Sequence, residues 1–273
     1  MPDRIEFPKS IGFIGCGNMA GAMLSGWLDA GLPKDRVTII SPNSKTGPGD
    51  IAVERNWPEG RPLPEWLVLG VKPQKLAEVA DWVRPLVRPD TVVMSILAGV
   101  THGSLKARFP EAKAIVRVMP NMAVSIGKSV STGYMPQGSD ADIQAQTTAL
   151  MEQLGQFYWL DSESDMHAAT ALAGSGPAFL FRFIDALSKG AEANGIAPEQ
   201  ARQMALAMVE GAAQLAAMSE FDPGTLADKV ASPGGVTRAG LNVLDQDEAL
   251  AQLLTETLRA ATERDAEMAQ EFS

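Results

Sequence analysis

Short apolar runs separated by amphipathic segments fill the first 160 residues. The runs "IGFIG" (11–15), "RVTII" (36–40), "WLVLGV" (66–71), "TVVMSIL" (91–97), "AIVRVMP" (114–120) and "STGYMP" (131–136) predict strands. Most lack polar alternation, as expected for strands buried on both faces of a parallel sheet. Helical periodicity falls between them at 19–30, 74–83, 101–109 and 140–154. Strand and helix in turn imply βαβ units and a doubly wound, mostly parallel α/β sheet. The Gly- and Pro-rich segment 46–65 occupies the place of a second crossover helix and leaves room for only a short one, over 50–56.

After Asp161 the pattern becomes alanine-rich and helical, with no convincing strand. Helices are expected over 164–172, 178–194, 198–218, 223–230, 236–244 and 247–269; Pro177, Pro198 and Pro223 lie where a proline sacrifices no internal hydrogen bond. Two domains follow, 1–160 and 161–273. The stretch "ARQMALAMVEGAAQLAAM" has small residues on several faces, which lets helices approach closely but supplies little apolar volume. A second copy of the chain would supply the missing burial; docking onto the first domain alone is the alternative.

Composition narrows the possible partners. With 273 residues and 45% hydrophobic content, the chain has enough apolar material for two moderate cores. A formal charge of −10 disfavours nucleic acid and acidic membranes, so an anionic ligand must be held by local donors. Cys16 is the only cysteine, and His102 and His167 lie far apart without ligand spacing, so no metal is expected. No run approaches a membrane span and the N-terminus does not read as a secretory signal; the cytoplasm is the expected compartment.

The clearest chemical signal is "IGFIGCGNMAGAML", which places Gly15-x-Gly17-x-x-Ala20 at the first strand–helix junction. Gly15 permits the tight turn, Gly17 lets backbone approach a pyrophosphate, and Ala20 allows close helix–strand packing. Cys16, beside the helix start, reads as a spectator, although that position can depress a thiol pKa. The second strand ends "TIISPNSK" without the Asp or Glu that would accept from an NAD ribose. Ser41, Asn43, Ser44 and Lys45 offer donors and a cation instead, which favours NADP. The loops "GVKP" (70–73) and "ILAGV" (96–100) leave the same sheet edge, and Lys72 is placed to neutralise ligand charge.

The chain is poor in candidates for a strong proton donor. Lys189 is followed one turn later by Ala193, not by the amide that a two-domain hydroxyacid dehydrogenase would want. A protonated C=N bond already carries the charge that draws hydride, so a hydroxyl beside the nitrogen can suffice. "VASPGGVTRAGL" (230–241) fits that need: Ser232 suits an N-cap and Pro233 the first helical position. Gly234 and Gly235 would leave early backbone N–H groups uncovered as a carboxylate cup, with the Thr237 hydroxyl within a turn of it. "LAGSGPAF" (172–179) is a second helix junction of the same kind.

Together, "IGFIGCGNMA", "GVKPQ", "LAGV", "RVMPN", "LAGSGPAF" and "VASPGGVTRAGL" resemble the pyrroline-5-carboxylate reductase family in order and approximate spacing. The resemblance implies NAD(P)H-dependent reduction of 1-pyrroline-5-carboxylate to L-proline. It also implies a Rossmann domain followed by an all-helical dimerisation domain, as a homodimer or a larger homo-oligomer built from dimers. Carried over by position, Ile14, Gly15, Cys16, Gly17, Asn18 and Met19 look like cofactor contacts, as do Ser41 and Gly70, Val71, Lys72 and Pro73. Ile96, Leu97 and Ala98 join them. Asn121 looks like a substrate-site residue, and Ser232, Gly234, Gly235 and Thr237 look like the substrate loop, with Thr237 as donor to the imine nitrogen. Where the family commonly has Thr-Pro after Asn121, this chain has Met122-Ala123. Other readings are a reductase of another cyclic imine, a cofactor-binding scaffold without catalysis, and the hydroxyacid dehydrogenase.

Overall fold

A computed structural model describes residues 6–42 and 46–272. Contacts divide the chain into two compact units: residues 1–175 with 260–273, and residues 176–259. The division differs from a boundary at 160/161 because the helix Asp165–Ala169 and the end of the last helix belong to the first unit. His167 and the buried Asp265 show this directly, Nδ1 lying 2.7 Å from Oδ2.

The first unit is built on β1 (Ile11–Ile14), α1 (Asn18–Asp29), β2 (Val37–Ile40), β3 (Val53–Glu54), β4 (Trp66–Leu69), α2 (Leu76–Val83), β5 (Val92–Ser95), α3 (His102–Arg108), β6 (Ala114–Met119), β7 (Ser129–Tyr134), α4 (Ala141–Glu152), β8 (Gly155–Trp159) and α5 (Asp165–Ala169). The eight strands form one sheet in the order β3-β2-β1-β4-β5-β6-β7-β8. Only the β6–β7 pairing is antiparallel. The doubly wound, mostly parallel architecture is the expected one.

Two apolar cores explain the unalternating strand sequences. Phe13, Ile39, Val68, Met94 and Val116 face α1 and α4 on one side of the sheet. Ile14, Ile40, Leu69, Val93 and Ile115 face α2 and α3 on the other. The apolar side chains of the central strands thus alternate between the two cores. Trp27 of α1 is fully buried and donates from Nε1 to the carbonyl of Leu150 on α4 at 2.8 Å, joining two helices 123 residues apart in sequence.

Three local expectations are corrected. Residues 50–56 form no helix; a 3₁₀ turn, Pro48–Asp50, leads into β3, where Val53 packs on the first core as a two-residue edge strand. β8 falls where no strand was expected; its half-buried Phe157 and Trp159 cover the sheet margin, and Trp159 Nε1 donates to Thr148 Oγ1 at 2.9 Å. β7 begins at Ser129, two residues before the expected run.

In the second unit α6 (Gly176–Ala193) and α7 (Pro198–Met218) pack as a pair, burying Ser188, Ala201 and Ala205. α8 (Pro223–Val230), α9 (Val236–Asp245) and α10 (Ala249–Glu271) follow, α10 returning to the first unit from residue 260. Phe181, Leu215, Met218 and Val236 are exposed, Val236 at 93%. No described helix is long and apolar enough to cross a membrane.

Candidate functional site

Four loops leave the carboxyl ends of the parallel strands β1, β2, β4 and β5, so they share one sheet edge. Gly15 turns the chain out of β1 at φ +81°, and its N–H donates to Ile40 O at 2.8 Å. A Cβ there would come within 2.9 Å of Gly70 O and 2.8 Å of Val71 Cγ1; one on Gly70 would lie 2.7 Å from Ala20 Cβ. The small residues at 15, 20 and 70 thus let three segments touch at the mouth of the site. Gly17 is the N-cap of α1, has no side-chain cap, and faces open space. Uncapped donors at the start of a twelve-residue helix, reached through glycines, fit a pyrophosphate.

Asn18 is exposed and Met19 half-buried in the first turn of α1, beside Ile14, which is buried in β1. Cys16 is half-buried, and burial pushes its thiol pKa up. Ser41 is buried, its N–H donating to Glu54 O at 3.0 Å; Asn43, with Ser44 and Lys45, lies outside the described residues.

Lys72 is exposed at the head of a 3₁₀ turn that begins with Pro73. Ile96 and Ala98 are half-buried, whereas Leu97 turns its side chain into the second core, which leaves its backbone to the loop surface. The neighbouring Gly99 takes φ +71° and also lies against the C-terminal helix: a Cβ would stand 2.8 Å from Met268 Cβ.

Asn121 is 6% exposed. Its Nδ2 donates to Ala173 O at 2.9 Å, and its Oδ1 accepts from Ala123 N–H at 3.0 Å, capping the 3₁₀ segment Met122–Ile126. Ala173 belongs to a π-helical turn, Thr170–Gly174, that joins α5 towards α6 within "LAGSGPAF". The amide is thus a bolt between the strand end and the π turn. Thr170 Oγ1 in that turn is buried without a hydrogen-bond partner among the described residues.

In the second unit the break between α8 and α9 is a tight turn. Gly235 N–H donates to Ser232 O at 3.0 Å, Pro233 and Gly234 occupy the corner, and Gly234 has φ +69°. Proline followed by a positive-φ glycine is the sequence of a type II turn. Ser232 is therefore not the N-cap, nor Pro233 the first helical residue: the turn places Gly235 at the N-cap of α9, and glycine has no side chain to cap with. A Cβ on Gly235 would approach Ser232 Oγ to 2.5 Å. The open helix start moves to residues 236–238, and Thr237, exposed, is the second residue of the helix. Arg238 Nη2 reaches back to Asp228 Oδ1 of α8 at 2.6 Å, fixing the two helices on either side of the turn.

The comparisons converge on one family. The model described as "Pyrroline-5-carboxylate reductase dimerisation" matches residues 163–268, and "NADP oxidoreductase coenzyme F420-dependent" matches 10–53. Pyrroline-5-carboxylate reductase of Pseudomonas aeruginosa is 32% identical over 267 residues, covering 96% of this chain and 97% of the relative. Pyrroline-5-carboxylate reductase 2 of Bacillus subtilis is 34% identical over 276 residues, with 97% of each covered. This chain belongs to the pyrroline-5-carboxylate reductase family.

The solved pyrroline-5-carboxylate reductase of Coxiella burnetii superposes with a TM-score of 0.86 at 28% identity, over 96% of this chain and 99% of that one. That of Plasmodium falciparum, solved with NADP bound, has the same fold, with a TM-score of 0.84 at 24% identity over 95% and 98%.

Within this member of the pyrroline-5-carboxylate reductase family, the structure adds residues that sequence reading passed over. Glu163 Oε1 accepts from Arg117 Nη1 at 2.7 Å and from His102 N–H at 2.5 Å, so one carboxylate neutralises a buried guanidinium and caps α3 just after the 96–100 loop. His102 stands edge-on to Tyr134, and its pKa is lowered, chiefly by burial. The sole hint in the sequence was a charged residue inside the apolar run "AIVRVMP".

Proposed function

We propose that this chain reduces 1-pyrroline-5-carboxylate to L-proline with NADPH, NADH serving as a poorer donor. Family membership over nearly the whole chain supports the reaction class. The observation that carries the substrate assignment is the uncapped start of α9 with a hydroxyl one residue into the helix.

NADPH supplies the hydride. Its pyrophosphate is assigned to the start of α1, where Gly15, Gly17, Asn18 and Met19 offer backbone donors and Ile14 and Cys16 frame the turn. Gly70, Val71, Lys72 and Pro73, with Ile96, Leu97 and Ala98, line the same edge towards the reacting ring, and Ser41 with Asn43 serves the ribose.

The substrate carboxylate is assigned to the backbone N–H groups at the start of α9, which lack i−4 partners. Gly234 and Gly235 keep that approach clear, and Ser232 holds the turn rather than capping the helix. Thr237 Oγ1 would hydrogen-bond the ring nitrogen, donating to it before it takes up its proton from solvent, and hold it as hydride adds to the adjacent carbon. The C=N bond thereby becomes a single bond with a new C–H and a new N–H. Asn121 contributes by fixing the wall through its two protein bonds.

Residues 1–160 are read as the dinucleotide domain and 161–273 as the helical domain for substrate and dimerisation. The exposed Phe181, Leu215, Met218 and Val236 support assembly into a homodimer or a larger homo-oligomer of dimers. We place the protein in the cytoplasm, where its reductant and substrate are small soluble metabolites. The test is NADPH oxidation with and without the pyrroline, with NADH in parallel and proline identified as product. Oxidation that does not require the imine would reject the proposal.

A further inference from the structure

β3 brings to the nucleotide edge a cation that the strand pattern does not reveal. Ile39 lies opposite Val53 and Ile40 opposite Glu54, in parallel register. The bond from Ser41 N–H to Glu54 O, 3.0 Å long, closes that ladder at its carboxyl end. Arg55 is therefore the first residue beyond β3, level with Ser41, one strand over from the position where an NAD site keeps its acid.

Three arginines serve this part of the sheet, and two are spent on structure. Arg36 donates to Phe7 O at 3.1 Å, and Arg61 donates to Asp35 O at 2.7 Å and Val37 O at 2.9 Å, all towards the amino ends of the strands. Arg55, at the carboxyl edge, is exposed and makes no hydrogen bond or ion pair among the described residues. Glu54 does not replace the missing acid: it lies within β3, paired with Ile40, one residue short of the edge.

We infer that Arg55 reads the 2′-phosphate of NADPH, with the Ser41 hydroxyl as its neighbouring donor. The inference rests on the cofactor assignment above. A chain of net charge −10 offers no favourable general field to a phosphate, so discrimination between the two nicotinamide cofactors must come from a local cation. A planar guanidinium can donate two parallel bonds to phosphate oxygens, which an ammonium cannot match.

The test uses the whole protein and two probes, 2′,5′-ADP and 5′-AMP, whose binding is measured by calorimetry for the parent, Arg55→Gln and Arg55→Lys. Arg55→Gln should lower the affinity for 2′,5′-ADP relative to 5′-AMP by about 10- to 100-fold, the range of charge-assisted hydrogen bonds, and Arg55→Lys should recover part of it. The ratio of kcat/KM for NADPH to that for NADH should fall by a similar factor. Equal losses for both probes, or no loss, would overturn the role of Arg55. A parent protein that binds 2′,5′-ADP through Arg55 but shows no imine-dependent oxidation would instead overturn the proposed reaction and leave this inference standing.

Discussion

Arg117, 2% exposed in the middle of the sheet, is neutralised by Glu163 from the loop after β8 at 2.7 Å. The same carboxylate oxygen holds the first N–H of α3. The pair thus joins β6, the end of the sheet and the segment that follows the 96–100 loop.

Glu163→Ala should strand a buried guanidinium. The expected loss is on the order of 3 kcal/mol, since removing one member of a buried pair leaves its charge uncompensated. Glu163→Gln, which keeps an acceptor for His102 N–H, should lose less. Thermal denaturation reads both, and a midpoint for Glu163→Ala indistinguishable from the parent would show that Arg117 finds its compensation elsewhere.

His102 predicts an acid-side loss of stability. Burial lowers its pKa, Glu163 opposes the shift, and Arg117 and Lys106 add to it. The folded state therefore binds the proton less readily than the unfolded one. Stability is fully present above the ordinary imidazole range and is lost as pH falls through it. Urea midpoints between about pH 7.5 and about pH 5.5 should fall more steeply for the parent than for His102→Gln. Parallel slopes would refute the assignment.

Gly99→Ala tests the proposed cofactor role of the 96–100 loop and its support by the C-terminal helix. The new Cβ would meet Met268 Cβ at 2.8 Å and sit at φ +71°, so the loop or the helix must shift. The strain is about 1 kcal/mol or more, and the expected kinetic effect is a several-fold rise in KM for NADPH with a smaller change in KM for the pyrroline. An unchanged KM for NADPH would remove the 96–99 loop from the cofactor site.

Thr237→Ala should reduce kcat by about 10²-fold, the scale for one lost donor at a developing charge. NADPH affinity, measured without the imine, should change little. Thr237→Ser should restore most of the turnover because it keeps the hydroxyl. Full turnover in Thr237→Ala would reject the donor role.

Legibility followed how locally each feature was encoded. The runs at 11–15, 66–71 and 91–97 announced themselves because both faces of each strand are apolar, as Phe13 and Ile14 on opposite cores show. β3 was hidden because two residues carry no period, and β8 because Gln156 and Tyr158 are exposed and only Phe157 and Trp159 reach the margin of the core. At the break between α8 and α9 the residue types were legible but the turn was not: whether Ser232 caps a helix or gives its carbonyl to Gly235 depends on where the chain reverses. Asn121 read by resemblance as a substrate-site residue, and nothing local revealed that its Nδ2 donates to Ala173 on a π turn 52 residues later.

By itself the sequence determined the alternation of strand and helix, the glycine turn at Gly15, the missing acid after β2 and the exposed hydroxyl at Thr237, because each depends on residues within one or two turns of chain. Tertiary structure alone decided that Glu163 neutralises Arg117, that Met268 covers Gly99 and that Arg55 stands level with Ser41. Those relationships join segments far apart in sequence, and they are fixed by sheet register and by which core each helix covers, quantities that no short stretch of residues contains.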